Sequence, residues 1–152
     1  MDIYYKQFDK YEEIELVYEF FKELLSEPYP YFTFASFQML HSHHSLLAYK
    51  DGILIGAIIA RVEADETMGK IGYIGMLGVK PENRRCGVGK ELVNRTLASF
   101  LEREIYSVYL ETEVDNIPSN ELYRSLGFVK IGRLENYYLN LKDCFRLKKL
   151  LK

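Results

Sequence analysis

The segment Arg84-Arg85-Cys86-Gly87-Val88-Gly89-Lys90 carries the densest chemical signal in the sequence. Its two glycines let a backbone pass close to a ligand, and they stand just before an apolar-periodic run that reads as a helix. The first N–H groups of a helix have no partner within it and carry partial positive charge, so they attract phosphate. Arg84 and Arg85 add full charges, and the whole reads as a diphosphate cradle. Further on, Glu111 and Glu113 lie two residues apart, on one face of a predicted strand. A carboxylate there is suited to taking up a proton, directly or through a water. An ordinary Glu titrates near 4.3 and is a poor acceptor. Partial burial, and the charge of Glu113 about 7 Å along the strand, are expected to raise the proton affinity of Glu111.

Two familiar phosphate motifs fail on this loop. A Walker A loop needs glycine where Arg84 stands and Ser or Thr where Glu91 stands. A dinucleotide fingerprint needs a third glycine or alanine where Leu92 stands. ATP, GTP and dinucleotides are therefore not expected here.

These groups need elements to hold them. Residues 11–25 repeat Ile14, Val17, Phe21, Leu24 and Leu25 at helical spacing, and Pro28 ends the helix. Residues 29–37, rich in aromatics, read as a loop entering a short helix. Strands are predicted over 46–49 and 53–61, with Asp51-Gly52 as a hairpin turn between them. A further strand covers 71–79. The glycine loop then opens a helix over 89–101. A strand over 107–114 turns Val108, Leu110 and Val114 one way and Tyr109, Glu111 and Glu113 the other. A short helix over 119–126 ends at Gly127, and strands over 129–133 and 137–141 close the order. This is a mixed α/β (α+β) sheet with helices on both faces.

The bulk numbers narrow the function classes. At 152 residues, 48% hydrophobic and 28% charged, the chain suits a single globular domain spanning 1–152. A net charge of −2 argues against direct nucleic-acid binding; the basic stretch 146–152 reads as a solvated final strand or turn. Cys86 and Cys144 have neither metal nor redox spacing. His41, His43 and His44 suit one helix face poorly, so no metal site is read from them. No signal segment or apolar span is evident, and a cytoplasmic location is expected.

The spacing Arg84-x-x-Gly87-x-Gly89 does fit one pattern: it resembles the pyrophosphate loop of the GNAT superfamily of acyltransferases. Residues 110–116, followed by Leu122-Tyr123-Arg124-Ser125-Leu126-Gly127-Phe128, resemble the other GNAT motif. The likeness extends to residues 24–29, 73–79 and 137–140, and to Asp143 with Arg146-Leu147-Lys148. These resemble the catalytic subunits of NatC-type N-terminal acetyltransferases, over roughly residues 24–150.

The resemblance implies a GNAT fold, a mostly antiparallel sheet with one splayed strand pair. It implies acetyl-CoA as co-substrate, no metal, and direct attack by the free α-amine of a protein N-terminus. Glu111 would be the base, acting through water, and Tyr123 the acid that protonates the departing thiolate. Leu77, Gly78 and Val79 would line the pantetheine arm, with the Val79 N–H facing the oxyanion. Arg84, Arg85, Cys86, Gly87, Val88, Gly89 and Lys90 would hold the phosphates, and Asn116 and Ser119 would also contact CoA. Asn116 equally suits a helix N-cap. Leu25, Glu27, Pro28 and Tyr29 resemble a substrate loop; Tyr73, Met76, Tyr137 and Tyr138 would complete the peptide site. Preferred substrates would begin Met-Leu, Met-Ile, Met-Phe, Met-Trp or Met-Tyr, and the partners would be auxiliary NatC subunits and the ribosome. Other readings of the same motifs are acetyl transfer to a ribosomal protein, a polyamine or another small amine, or a non-catalytic acetyl-CoA-binding module.

Overall fold

The computed structural model describes residues 2–25, 29–67, 69–135 and 142–152. Among the described residues, seven strands form one sheet in the order β1-β2-β3-β4-β5-β7-β6: β1 (Tyr4–Gln7), β2 (Leu46–Lys50), β3 (Ile53–Asp65), β4 (Gly69–Val79), β5 (Ser107–Glu113), β6 (Val129–Leu134) and β7 (Cys144–Leu150). Helices α1 (Glu13–Leu24) and α2 (Tyr31–His41) precede β2, α3 (Val88–Glu102) links β4 to β5, and α4 (Ile117–Ser125) links β5 to β6. Every neighbouring pair is antiparallel except β4 and β5, which run parallel on either side of α3. The mixed, mostly antiparallel sheet expected from the sequence is the sheet observed.

Two cores sandwich the sheet. On one face Ile14, Val17, Phe20 and Phe21 of α1 and Phe34 and Phe37 of α2 pack on Leu47, Ala57, Ile59 and Met76. On the other, Leu92, Val93, Leu97 and Phe100 of α3, with Tyr123 and Phe128, pack on Ile58, Ala60, Ile74, Val108, Leu110 and Leu147. Alternation along β5 follows from the two-residue strand period, and the third inward residue is Thr112 rather than Val114. Asp51 and Gly52, both left-handed at φ 52° and 77°, make the predicted tight hairpin turn.

The structure extends one expectation, adds one element and corrects a third reading. The aromatic stretch after Tyr29 is an eleven-residue helix, because its apolar residues bury Phe34 and Phe37 against α1. The polar opening segment contributes edge strand β1, paired to β2 from Tyr4↔Tyr49 to Gln7↔Leu46. The basic tail is an interior strand: β7 lies between β5 and β6, with Cys144 and Leu147 buried. The strand expected over 137–141 lies outside the described residues, as do Glu27 and Pro28.

The feature that positions the site is a split between the parallel strands. β4 and β5 pair only at Gly72↔Val108, Tyr73↔Tyr109 and Ile74↔Leu110. Beyond that point β4 continues to Val79 along β3, while β5 continues to Glu113 along β7. A bulge at Gly75, where the β3–β4 register shifts, marks the parting.

Candidate active site

The split exposes one edge of β4. In an antiparallel ladder, hydrogen-bonded and non-hydrogen-bonded pairs alternate. Lys80 N–H donates to Ile55 C=O at 2.8 Å, so Gly78 bonds Ala57 while Leu77 and Val79 turn their backbone groups away from β3. The Val79 carbonyl is taken by Arg84 Nε at 3.0 Å. The Val79 N–H and both backbone groups of Leu77 therefore face the opening left by β5. Gly78 serves the helix behind the strand instead. A Cβ there would meet Phe21 at 2.9 Å, so its bare α-carbon lets α1 lie directly on β4.

The glycine loop lies at the same opening. Gly87 caps α3 in the left-handed region at φ 82°, and Arg85 is left-handed too at φ 64°. The first bond of α3 runs from Glu91 N–H to Gly87 C=O at 3.0 Å, which leaves the N–H groups of Val88, Gly89 and Lys90 without a partner inside the helix. Arg84, Arg85, Cys86 and Lys90 are exposed around them, and Val88 anchors the turn in the core. The position of a Gly89 Cβ lies 3.6 Å from Leu122, 3.7 Å from Val79 and 3.9 Å from Leu77, so loop, β4 edge and α4 converge. At the start of α4, Asn116 Oδ1 accepts the Ser119 N–H at 3.3 Å, the N-cap role. These donors fit a diphosphate with an amide-bearing arm.

Tyr123 lies on this face. It is 5% exposed, packs edge-on to Phe128, and burial alone raises its pKa well above the usual value. It therefore keeps its proton at neutral pH, the state that a proton donor needs.

The α1–α2 face of the sheet carries the other half. Met76 is buried beside half-buried Leu25 and Tyr29, and Tyr29 stacks on Phe37 at 6.2 Å between ring centroids. Tyr73 is next to Tyr29; burial first, then Tyr29 and Glu111, push its pKa far above the ordinary tyrosine value. Its hydroxyl donates to Glu111 Oε1 at 2.9 Å, and Arg146 Nε lies 2.9 Å from Glu111 Oε2. Glu111 is the first residue of β5 past the split, and its side chain is 4% exposed. Glu113, expected to act on Glu111 as a second negative charge, lies 3.5 Å from Lys142. The carboxylates of this strand face are thus both opposite cations. The resemblance includes Arg146 in Arg146-Leu147-Lys148 but gives it no site role, and by composition alone it reads as part of a solvated tail.

The histidines stand apart. His44 stacks on Phe100 at 4.5 Å and bonds Ser99 at 2.8 Å, and with His41, His43, Lys70 and Arg103 it lines a separate hollow of about 410 Å³. Cys86 is exposed, while Cys144 is buried and its thiol is pushed up to about 11 by burial. Among the described residues, no helix is long and apolar enough to cross a membrane.

Residues 10–128 match the family model of the GNAT acetyltransferases. The chain belongs to the GNAT family. Within it, the chain is 40% identical to N-alpha-acetyltransferase 30 of Xenopus laevis over 126 residues, 82% of this chain and 45% of that one. It is 36% identical to N-alpha-acetyltransferase MAK3 of Arabidopsis thaliana over 149 residues, 98% of this chain and 78% of that one. This GNAT chain therefore spans less than half of the Xenopus relative. The fold superposes on a chain of a NatC complex solved with a Gag peptide and CoA, with a TM-score of 0.94, 30% identity and full coverage of both chains.

Proposed function

We propose that this GNAT chain is an N-alpha-acetyltransferase that moves acetyl from acetyl-CoA to the free α-amine of protein N-termini. The observation that carries this reading is the split at Ile74/Leu110, with phosphate-seeking amides on one side and an aromatic wall with a carboxylate on the other. A thioester threaded through such a gap would meet an amine arriving from the opposite face.

The residues divide the work. The N–H groups of Val88, Gly89 and Lys90, with Arg84 and Arg85, hold the diphosphate; Cys86 shapes the loop. Leu77 and Val79 pair with the pantetheine arm, Gly78 shapes the trough, and Asn116 and Ser119 border it. The Val79 N–H faces the developing oxyanion, where a fixed donor in a dry site is worth most. An α-amine titrates near 7.7–8.0, so baring its lone pair at pH 7 costs only about 1 kcal/mol. Glu111 therefore needs only to accept a proton relayed through water, and Tyr123 gives its proton to the departing sulfur. Positioning contributes more of the rate than basicity does.

Leu25, Tyr29, Tyr73 and Met76 form an apolar and aromatic wall suited to Met followed by Leu, Ile, Phe, Trp or Tyr. Glu27, Pro28, Tyr137 and Tyr138 complete this peptide site in our reading. The relatives named above support a NatC-like assignment with auxiliary subunits; in our reading the chain is a single catalytic domain that works in the cytoplasm in association with the ribosome. The test is acetyl transfer from acetyl-CoA to a Met-Leu peptide, compared with the same peptide blocked at its α-amine. Transfer to the free peptide alone supports the reading; transfer only to lysine side chains or small amines would overturn it.

A further inference from the structure

The floor of the cleft holds two interlocked sets, each of one arginine, one glutamate and one tyrosine. In the first, Arg146 Nε lies 2.9 Å from Glu111 Oε2, and the Tyr73 hydroxyl donates to Glu111 Oε1 at 2.9 Å. In the second, Arg61 pairs with Glu63 Oε2 at 2.6 Å, and the Tyr109 hydroxyl donates to Glu63 Oε1 at 2.5 Å. The sets are crossed. Arg61 lies over the Tyr73 ring at 4.8 Å, Arg146 lies over the Tyr109 ring at 5.5 Å, and the two rings are 4.8 Å apart.

Strand register builds this arrangement. Arg61, Tyr73 and Tyr109 stand in one row across β3, β4 and β5. Val114 N–H bonds Asp143 C=O at 3.1 Å, which makes Glu111↔Arg146 a non-hydrogen-bonded pair, the kind whose side chains lie closest. The carboxylate of Glu111 thus takes a donor from β4 and a donor from β7, immediately beyond the last backbone pairing of β4 with β5. The side chains continue across the split what the ladder leaves off.

We propose that Arg146 is a positioning residue: with Tyr73 it fixes the carboxylate of Glu111 at the mouth of the β4–β5 split, and the Arg61–Glu63–Tyr109 set holds Tyr73 and Arg146 in turn. The proposal rests on the proton-accepting role of Glu111 given above. A carboxylate bound at both oxygens by different strands cannot swing, so the water that it orients keeps one place relative to the incoming amine. The guanidinium matters as well as the charge, because its planar face also covers Tyr109.

The test is steady-state kinetics with a Met-Leu peptide on the full chain and its variants, alongside calorimetry of CoA binding. Arg146→Gln is expected to lower kcat by ~10-fold or more, less than the ~10²-fold at which loss of the acid–base group itself begins, with KM for acetyl-CoA unmoved. Arg146→Lys should recover part of the loss. The double variant Arg146→Gln, Glu111→Gln should be no slower than Glu111→Gln alone, because residues acting as a unit do not add. Wild-type kcat in Arg146→Gln, or additive losses in the double variant, would overturn the proposal while leaving the role of Glu111 standing. Undiminished turnover in Glu111→Gln would instead remove that role and the proposal with it. Should Arg146→Gln fail to bind CoA, Arg146→Lys decides: a lower kcat at unchanged KM for acetyl-CoA supports positioning, and a wild-type kcat overturns it.

Discussion

Glu111 and Tyr123 lie on opposite faces of the sheet: Leu110 points into the α3 core beside Tyr123, so Glu111, one residue on, points to the α1–α2 side. In the proposed mechanism, proton uptake from the amine and proton delivery to the sulfur would thereby be kept apart, with the reacting carbon between them in the split. Glu111→Gln and Tyr123→Phe should each reduce kcat by ~10²-fold or more while leaving CoA affinity in place. Turnover near wild type in both, measured at saturating acetyl-CoA, would contradict this division.

The proposed phosphate cradle depends on the backbone of Gly87. Its φ of 82° is left-handed, and a Cβ there would touch nothing within 4 Å, so Gly87→Ala introduces strain rather than a clash. A left-handed alanine costs about 1–2 kcal/mol, and relief of that strain would tilt the N–H groups of the α3 start. About ten-fold weaker CoA binding is expected by calorimetry, since about 1.4 kcal/mol is tenfold in affinity. Gly132→Ala, with open space and ordinary φ, is the matched control and should bind CoA normally.

His44 makes stability depend on pH. Burial, then Arg103, His43 and His41, lowers its pKa from 6.5 to about 4. Between those values the unfolded chain binds a proton that the folded chain refuses, so stability is full above about 6.5 and falls as pH drops toward 4. Thermal unfolding followed from pH 7 to 4 should show this decline, and His44→Asn should flatten it. An equal slope in the variant would assign the effect to other groups.

Peptide choice tests the wall formed by Leu25, Tyr29, Tyr73 and Met76. Met-Leu peptides should give kcat/KM ~10-fold or more above Met-Asp and Ser-Glu peptides, because an apolar pocket penalises a charge more than a missing methylene. Equal rates across the panel would remove the NatC-like preference and leave acetyl transfer itself untouched.

Much of the architecture is legible because it is written in local pattern. The α1 and α3 stripes repeat at helical spacing, Asp51-Gly52 favours a tight turn, and Arg84-x-x-Gly87-x-Gly89 sits where a strand gives way to a helix. What stays hidden depends on pairing between distant strands. β1 is a polar edge strand without an alternating pattern of its own. β7 buries Cys144 and Leu147 three residues apart, on opposite faces and among cations, and nothing local says that it inserts between β5 and β6. The pairing of Arg146 is hidden for that reason, although the resemblance takes in the residue: its partner Glu111 lies 35 residues away, and only register brings them together. The motif at Glu111 suggests a proton acceptor; it does not show that two other strands hold that carboxylate.

A crystal structure of the chain with CoA and a Met-Leu peptide tests the central claim most directly. It should show the diphosphate against the N–H groups of Val88, Gly89 and Lys90, the sulfur within the β4–β5 split near Tyr123, and the peptide amine on the Glu111 face. Both ligands on one face of the sheet, or a split filled by neither, would contradict the account.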